Sequence, residues 1–255
     1  MNMHSVARWL AGSLPNRCHL CQQPIPRGRG LCAYCLADND PGPLCLCCTR
    51  PLQHAPPWRC GRCQRRRRWW PKVVSYPYHH PVGYLSGAIK IQHQLSLVQP
   101  MCEVLAHRVR MLCQQQALPP PLALVPIPMH PLRLPVRGFN HAVIIADELG
   151  RQLDLPVWDQ LVFKTQSSVP QHERQGRDRH RIPRELYQAA PNQPPQSGLV
   201  LVDDVITTGA TMTAVARALR REGHRVEQYW ALASALARPE MARPNQPAVD
   251  PGSTP

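Results

Sequence analysis

Residues 199–211 read LVLVDDVITTGAT. Four aliphatic residues, Leu199 to Val202, form a short apolar run of the kind a buried strand needs. Two adjacent acids, Asp203 and Asp204, stand at its C-terminal edge. Thr207, Thr208, Gly209, Ala210 and Thr211 then form a loop that leads into a helix predicted for Thr211–Glu222 and stopped at Gly223. A further strand is predicted for Val226–Ala231. The order strand, loop, helix, strand is the βαβ unit of a parallel sheet.

Upstream residues extend the pattern. Leu122–Pro126 reads as a buried strand, and Asn140–Leu153 carries apolar residues at helical spacing (Val143, Ile144, Ala146, Leu149, Leu153). Val82–Ile91 and Met101–Gln116 are also predicted as helices, with Pro100 able to open the second. Leu161–Lys164 is a candidate strand, and residues 191–198 a surface excursion. This alternation predicts an α/β fold, a parallel sheet covered by helices on both faces. Residues 238–255 hold many prolines and few apolar groups, and read as a disordered tail.

Open α/β sheets bind ligands at the C-terminal strand edge. Free amides, three threonine hydroxyls and a helix N-terminus make residues 207–211 a phosphate cradle, and Gly209 lets the backbone approach without a Cβ. The two carboxylates then suit a pair of vicinal hydroxyls. A phosphorylated ribose offers both groups.

The N-terminal part differs in kind. Eight of the eleven cysteines form four C-x2-C pairs: Cys18/Cys21, Cys32/Cys35, Cys45/Cys48 and Cys60/Cys63, separated by 10, 9 and 11 residues. Each pair is half of a tetrahedral thiolate shell, so four pairs predict two structural zinc sites, a double zinc ribbon over residues 18–72. A disulfide scaffold is the alternative and requires an oxidising compartment. Joining neighbouring pairs closes shorter loops than a cross-brace and costs less chain entropy, but that cost grows only slowly with loop length, so both pairings stay open. The ribbons lack apolar residues for a core of their own, so metal is expected to supply much of their folding free energy. Of the remaining cysteines, Cys102 and Cys113 are expected in helical cores, and Cys47 is left over.

Charge is uneven. The net charge is +14, of which residues 1–72 carry +10, with 12 Lys and Arg against Asp38 and Asp40. The densest run, Arg65–Arg68, is followed by Trp69 and Trp70. Such a cluster attracts polyanions, and the indoles either stack unpaired bases or pack on the next domain. No apolar run approaches the roughly 18 residues of a membrane helix, and residues 1–17 carry two arginines without a sustained apolar stretch. The expectation is a soluble, cytoplasmic protein without membrane insertion. Its parts are an N-terminal segment (1–17), the ribbons (18–72), an α/β domain (73–237) and the tail (238–255).

Residues 199–211 resemble the phosphoribosyl pyrophosphate (PRPP) signature of type I phosphoribosyltransferases. Val125–Ala142, VPIPMHPLRLPVRGFNHA, together with the four cysteine pairs, resembles the ComF/GntX family of competence and DNA-utilisation proteins. The resemblance implies PRPP as ligand, accompanied by Mg²⁺, with Asp203, Asp204 and residues 207–211 at the ribose phosphate. It places Arg133 and Arg137 on the pyrophosphate; Asn140 is equally readable as a helix N-cap. Residues 165–187 resemble the family's mobile hood and hold Gln171, Arg174, Arg177, Arg179, Arg181 and Arg184. Three departures stand out. Ile182 and Pro183 replace a frequent Asn, His93 is nearest to a usual Lys, and Thr207 stands where purine-salvage members carry an Asp. Purine salvage is therefore not expected. The leading expectation is a competence-type protein that binds PRPP and single-stranded DNA, alongside competence or DNA-processing partners. The alternatives are an active phosphoribosyltransferase with an unknown acceptor, and a zinc-ribbon adaptor.

Overall fold

The computed structural model describes residues 16–130, 138–165 and 186–236. Arg133, Arg137, most of the basic stretch 165–187 and the C-terminal tail lie outside the described residues. The sheet is built around β5 (Leu199–Ile206), flanked by β6 (Val226–Ser234) and β2 (Ala123–Pro126), with β1 (Lys72–Pro77) outside β6. All three pairings are parallel, and the order is β1-β6-β5-β2.

Strand alternation distributes the core. Val200 and Val202 face one side, with α5 (Val98–Gln114) and α6 (His141–Leu153) packed over them through Met101, Leu105, Ile145 and Leu149. Leu199 and Leu201 face the other side, against Met212, Val215 and Leu219 of α7 (Ala210–Arg221). Both faces are thus buried, as near-continuous apolar strands require.

Several elements differ from expectation. The predicted helix over Val82–Ile91 is two short helices, α3 (Pro81–Tyr84) and α4 (Ser86–Gln92), joined at Leu85. Strand β5 runs four residues beyond Val202, because β6 extends to Ser234 and keeps pairing with it. Leu161–Lys164 does supply β3 (Val162–Lys164), but this pairs antiparallel with β4 (Tyr187–Ala189) in a separate two-stranded sheet. β1 and β4 have no counterpart in the sequence reading.

The cysteine-rich segment packs along the β1 edge. It contains two short helices, α1 (Ala33–Asp38) and α2 (Gly61–Gln64). Leu31 and Leu46 join the same apolar cluster as Leu97, Met101 and Leu105. The Gly30 N–H donates to the Ser96 carbonyl at 2.8 Å, and a Cβ on Gly30 would lie 2.8 Å from the Leu97 side chain. Arg108 of α5 donates to Asp40 at 2.6 Å and to the Gly42 carbonyl at 2.7 Å. The Lys72 N–H donates to the Leu46 carbonyl at 2.7 Å, which covers part of an otherwise open sheet edge.

The indoles take the structural role. Trp70 stacks on Tyr229 at 5.5 Å, and Arg59 lies over Trp69 at 5.0 Å, while Arg65 to Arg68 remain exposed. Both tryptophans are half-buried by these contacts. Cys102 is fully buried on α5, as expected, whereas Cys113 is only half-buried; Cys47 is buried beside the second cysteine cluster.

Candidate functional site

The site forms where β2 ends and β5 continues. Beyond the Pro126–Val202 pair, β5 keeps its partner on the β6 side only, and a cavity of about 190 Å³ opens. Asp203, Asp204 and Thr211 line it, with Lys90, Lys164 and Tyr187 among the facing groups.

Because side chains alternate along a strand, Asp203 and Asp204 leave β5 on opposite faces. Asp203 lies toward Tyr187 and Asp204 toward α4. The Asp203 carboxylate accepts the Asp204 N–H at 2.9 Å, and that of Asp204 accepts the Val205 N–H at 2.8 Å. Lys90, in the last turn of α4, pairs with Asp204 at 3.3 Å; the carboxylate is buried while the lysine is 43% exposed. Burial, with the neighbouring Asp204 charge adding to it, pushes the Asp203 carboxyl up to about 8.

The turn after β5 has the expected form. Gly209 adopts φ 73°, ψ 6° as the N-cap of α7, a left-handed conformation that glycine takes without a Cβ penalty. The Thr208 hydroxyl accepts the Ala210 N–H at 3.3 Å. Thr207 and Thr208 are exposed, and Ala210 and Thr211 are half-buried. The helix thus starts with its N-terminus at the cleft, where Thr211 lines the cavity.

Lys90 is the residue that the sequence reading missed. His93 was nearest to the expected lysine, but it terminates α4 at φ 54° and stacks on His141 at 5.8 Å, beside Phe139. Asn140 caps α6: its carbonyl oxygen accepts the Ala142 N–H at 3.1 Å and its amide donates to the Ile127 carbonyl at 2.9 Å.

The eight paired cysteines gather into two clusters, Cys18/Cys21/Cys32/Cys35 and Cys45/Cys48/Cys60/Cys63, with the sulfurs of each within 4.8 Å of one another. Neighbouring pairs are joined in sequence, and none of the eleven cysteines is in a disulfide. The Cys21–Cys32 and Cys48–Cys60 sulfurs lie 3.8 and 3.7 Å apart. Metal–sulfur bonds of about 2.3 Å in a tetrahedron place sulfurs about 3.8 Å apart, so both clusters fit a four-coordinate ion. Backbone N–H groups of Cys32 and Cys60 point at the Cys18 and Cys45 sulfurs, 3.4 and 3.3 Å away.

Comparison with known proteins agrees with this architecture. The phosphoribosyl transferase domain family matches residues 137–243. Competence protein F of Haemophilus influenzae is 30% identical over 223 residues, 86% of this chain and 97% of that protein. The DNA utilization protein YhgH of Salmonella typhi is 31% identical over 230 residues, covering 88% of this chain and 99% of that one. Among solved structures, the chain is similar to adenine phosphoribosyl transferase from Trypanosoma brucei (12% identity, 71% of this chain and 92% of that chain, TM-score 0.38). It is also similar to the Saccharomyces cerevisiae adenine enzyme (13% identity, 56% and 72%, TM-score 0.35). The sequence matches to competence protein F and YhgH span 86% and 88% of this chain. An α/β domain of phosphoribosyltransferase type, preceded by two four-cysteine clusters and aligned over nearly the whole of competence protein F, shows that the chain belongs to the ComF family.

Proposed function

We propose that the cleft binds PRPP and that the protein works in DNA uptake or utilisation, with single-stranded DNA as its macromolecular partner. One observation carries the ligand reading. The acid pair Asp203/Asp204 and the N-terminus of α7 share one cleft at the open end of β5. Amides of residues 208–211 hold the ribose phosphate, helped by the helix dipole. The two carboxylates accept hydrogen bonds from the ribose diol, one on each side of the strand. Lys90 keeps Asp204 neutralised until the ligand arrives and adds positive charge facing the diphosphate.

Mg²⁺ accompanies the diphosphate and would shield its charge; Asp204, and Asp203 once it has given up its proton, would supply the carboxylate oxygens suited to it. Zinc is the ion proposed for both cysteine clusters, where all-thiolate tetrahedra are closed and structural. Thr207 cannot accept a proton at neutral pH, so the turn offers no general base of carboxylate type. A regulatory or cosubstrate use of PRPP follows more directly than base salvage. The DNA reading rests on the net charge of +14 and on the exposed Arg65–Arg68 run.

Catalysis is the second reading, favoured by the intact acid pair and threonine turn. It requires displacement of pyrophosphate at ribose C1 by an acceptor. Calorimetric titration with PRPP, with and without Mg²⁺ and again with a single-stranded oligonucleotide, tests the proposal. Binding that requires Mg²⁺ and changes with the oligonucleotide is expected. Absence of PRPP binding contradicts it, and sustained pyrophosphate release with an acceptor favours the enzyme.

A further inference from the structure

Thr49 follows Cys48 directly, in the turn that carries the second cysteine cluster. It is fully buried and adopts φ 61°. A β-branched residue in that region is a genuine outlier, since its Cβ crowds the following carbonyl. The first cluster repeats the geometry with Gln22 at φ 61° after Cys21, but there the side chain is exposed. The turn itself therefore asks for glycine-like backbone at both positions. Only at Thr49 is a costly side chain held inside the protein.

What it touches explains the cost. The Thr49 hydroxyl oxygen lies 2.7 Å from the Cys48 carbonyl and 2.7 Å from the Ser234 hydroxyl oxygen. The Thr49 hydroxyl is the donor, its proton shared between the Ser234 hydroxyl oxygen and the Cys48 carbonyl. Ser234 in turn accepts the Leu236 N–H at 3.2 Å. Ser234 is the last residue of β6 and pairs with Ile206, whose carbonyl accepts the Ala235 N–H at 2.8 Å. Ile206 immediately precedes the Thr207–Thr211 turn.

A second link runs in parallel. Leu46, inside the same cysteine knuckle, holds the Lys72 N–H at 2.7 Å. The Lys72 side chain then reaches back to within 4.0 Å of where a Cβ on Gly209 would lie. The second cysteine cluster is thus tied to the entry of the candidate phosphate turn, across 185 residues of chain between Thr49 and Ser234, and Lys72 lies beside the middle of the turn. The other cluster makes no such connection to it among the described residues.

We infer that Thr49 is a positioning residue, through which the metal-loaded Cys45/Cys48/Cys60/Cys63 cluster fixes the Thr207–Thr211 turn in its ligand-ready shape. The strain at Thr49 is the cost of that tether. By reciprocity, a ligand on the turn stabilises the loaded cluster. The inference deepens the PRPP reading, but the tether itself does not depend on which ligand the turn takes.

The test uses full-length, zinc-loaded protein and the variants Thr49→Ser, Thr49→Val, Thr49→Gly and, as control, Gln22→Gly. Hydrogen exchange is followed on the Thr213 and Ala235 amides, which donate to the Gly209 and Ile206 carbonyls of the turn and its entry, with metal content measured alongside. In Thr49→Val and Thr49→Gly these amides are expected to exchange about five- to tenfold faster, the effect of losing one hydrogen bond. Thr49→Ser and Gln22→Gly stay at the wild-type rate, and metal content is unchanged throughout. Thr49→Gly decides most, because it relieves the backbone strain yet is expected to loosen the turn. Unchanged exchange at Thr213 and Ala235, or acceleration spread equally over β2 and α6, overturns the tether. PRPP titration of the same set separates the two readings: faster turn exchange in a protein that never binds PRPP refutes the ligand and keeps the tether. Weakened PRPP binding in Thr49→Gly, restored in Thr49→Ser, supports both.

Discussion

Asp203 and Asp204 are adjacent in the chain, yet their surroundings set them apart. Asp204 has Lys90 at 3.3 Å; Asp203 has burial and a like charge, which push its carboxyl up to about 8. A group whose folded value lies above its ordinary one holds its proton more tightly in the folded state. The folded protein therefore loses stability as pH rises from about 4 through about 8. Asp203→Asn removes that loss. Thermal unfolding is expected to show the variant more stable than wild type at pH 8 and nearly equal to it at pH 4; equal stability at both pH values would contradict the buried-pair account. The acids themselves were legible in sequence, because an apolar strand ending in DD is a local pattern. Lys90 was not, because only the path of α4 across the end of β5 brings it to Asp204.

At the level of elements, α6 and α7 were readable from apolar spacing, and the turn from its glycine. β1 was not. KVVSYP is short and follows a basic run, and it becomes a strand only through β6 on one side and Leu46 on the other. The three-residue strands β3 and β4 carry no periodic signal either; they exist through their mutual pairing. Asn140 had two readings in sequence, cap or ligand contact. Its hydrogen bonds to Ala142 and Ile127 favour the cap. Asn140→Ala is expected to lower unfolding stability by about 1 kcal/mol in a denaturant titration while changing PRPP affinity less than twofold. A loss of affinity without a loss of stability would assign the side chain to the ligand.

For the whole molecule, the cysteine segment and the α/β domain share one apolar cluster through Leu31 and Leu46. Removing metal under reducing conditions should therefore lower the unfolding temperature of the entire chain, in a single transition. A chelated protein whose α/β domain melts at the untreated temperature would show the two parts to be independent. The cysteine spacing predicted two four-cysteine sites but left sequential and cross-brace pairing open; the structure groups neighbouring pairs, and their fusion to the sheet was hidden, since it depends on contacts distant in sequence. The basic run acts at this scale as well. With Trp69 and Trp70 half-buried against the fold, the proposed DNA binding is expected to rest on charge, so replacing Arg65–Arg68 by alanine should flatten the log–log salt dependence of single-strand binding by up to about 3. An unchanged slope would move the DNA surface elsewhere. The most direct test of the account is a crystal structure of the protein with PRPP and Mg²⁺. The account predicts the 5-phosphate on the amides of residues 208–211 and the ribose hydroxyls on Asp203 and Asp204. Ligand density away from that turn, or the diol turned from both carboxylates, would contradict it.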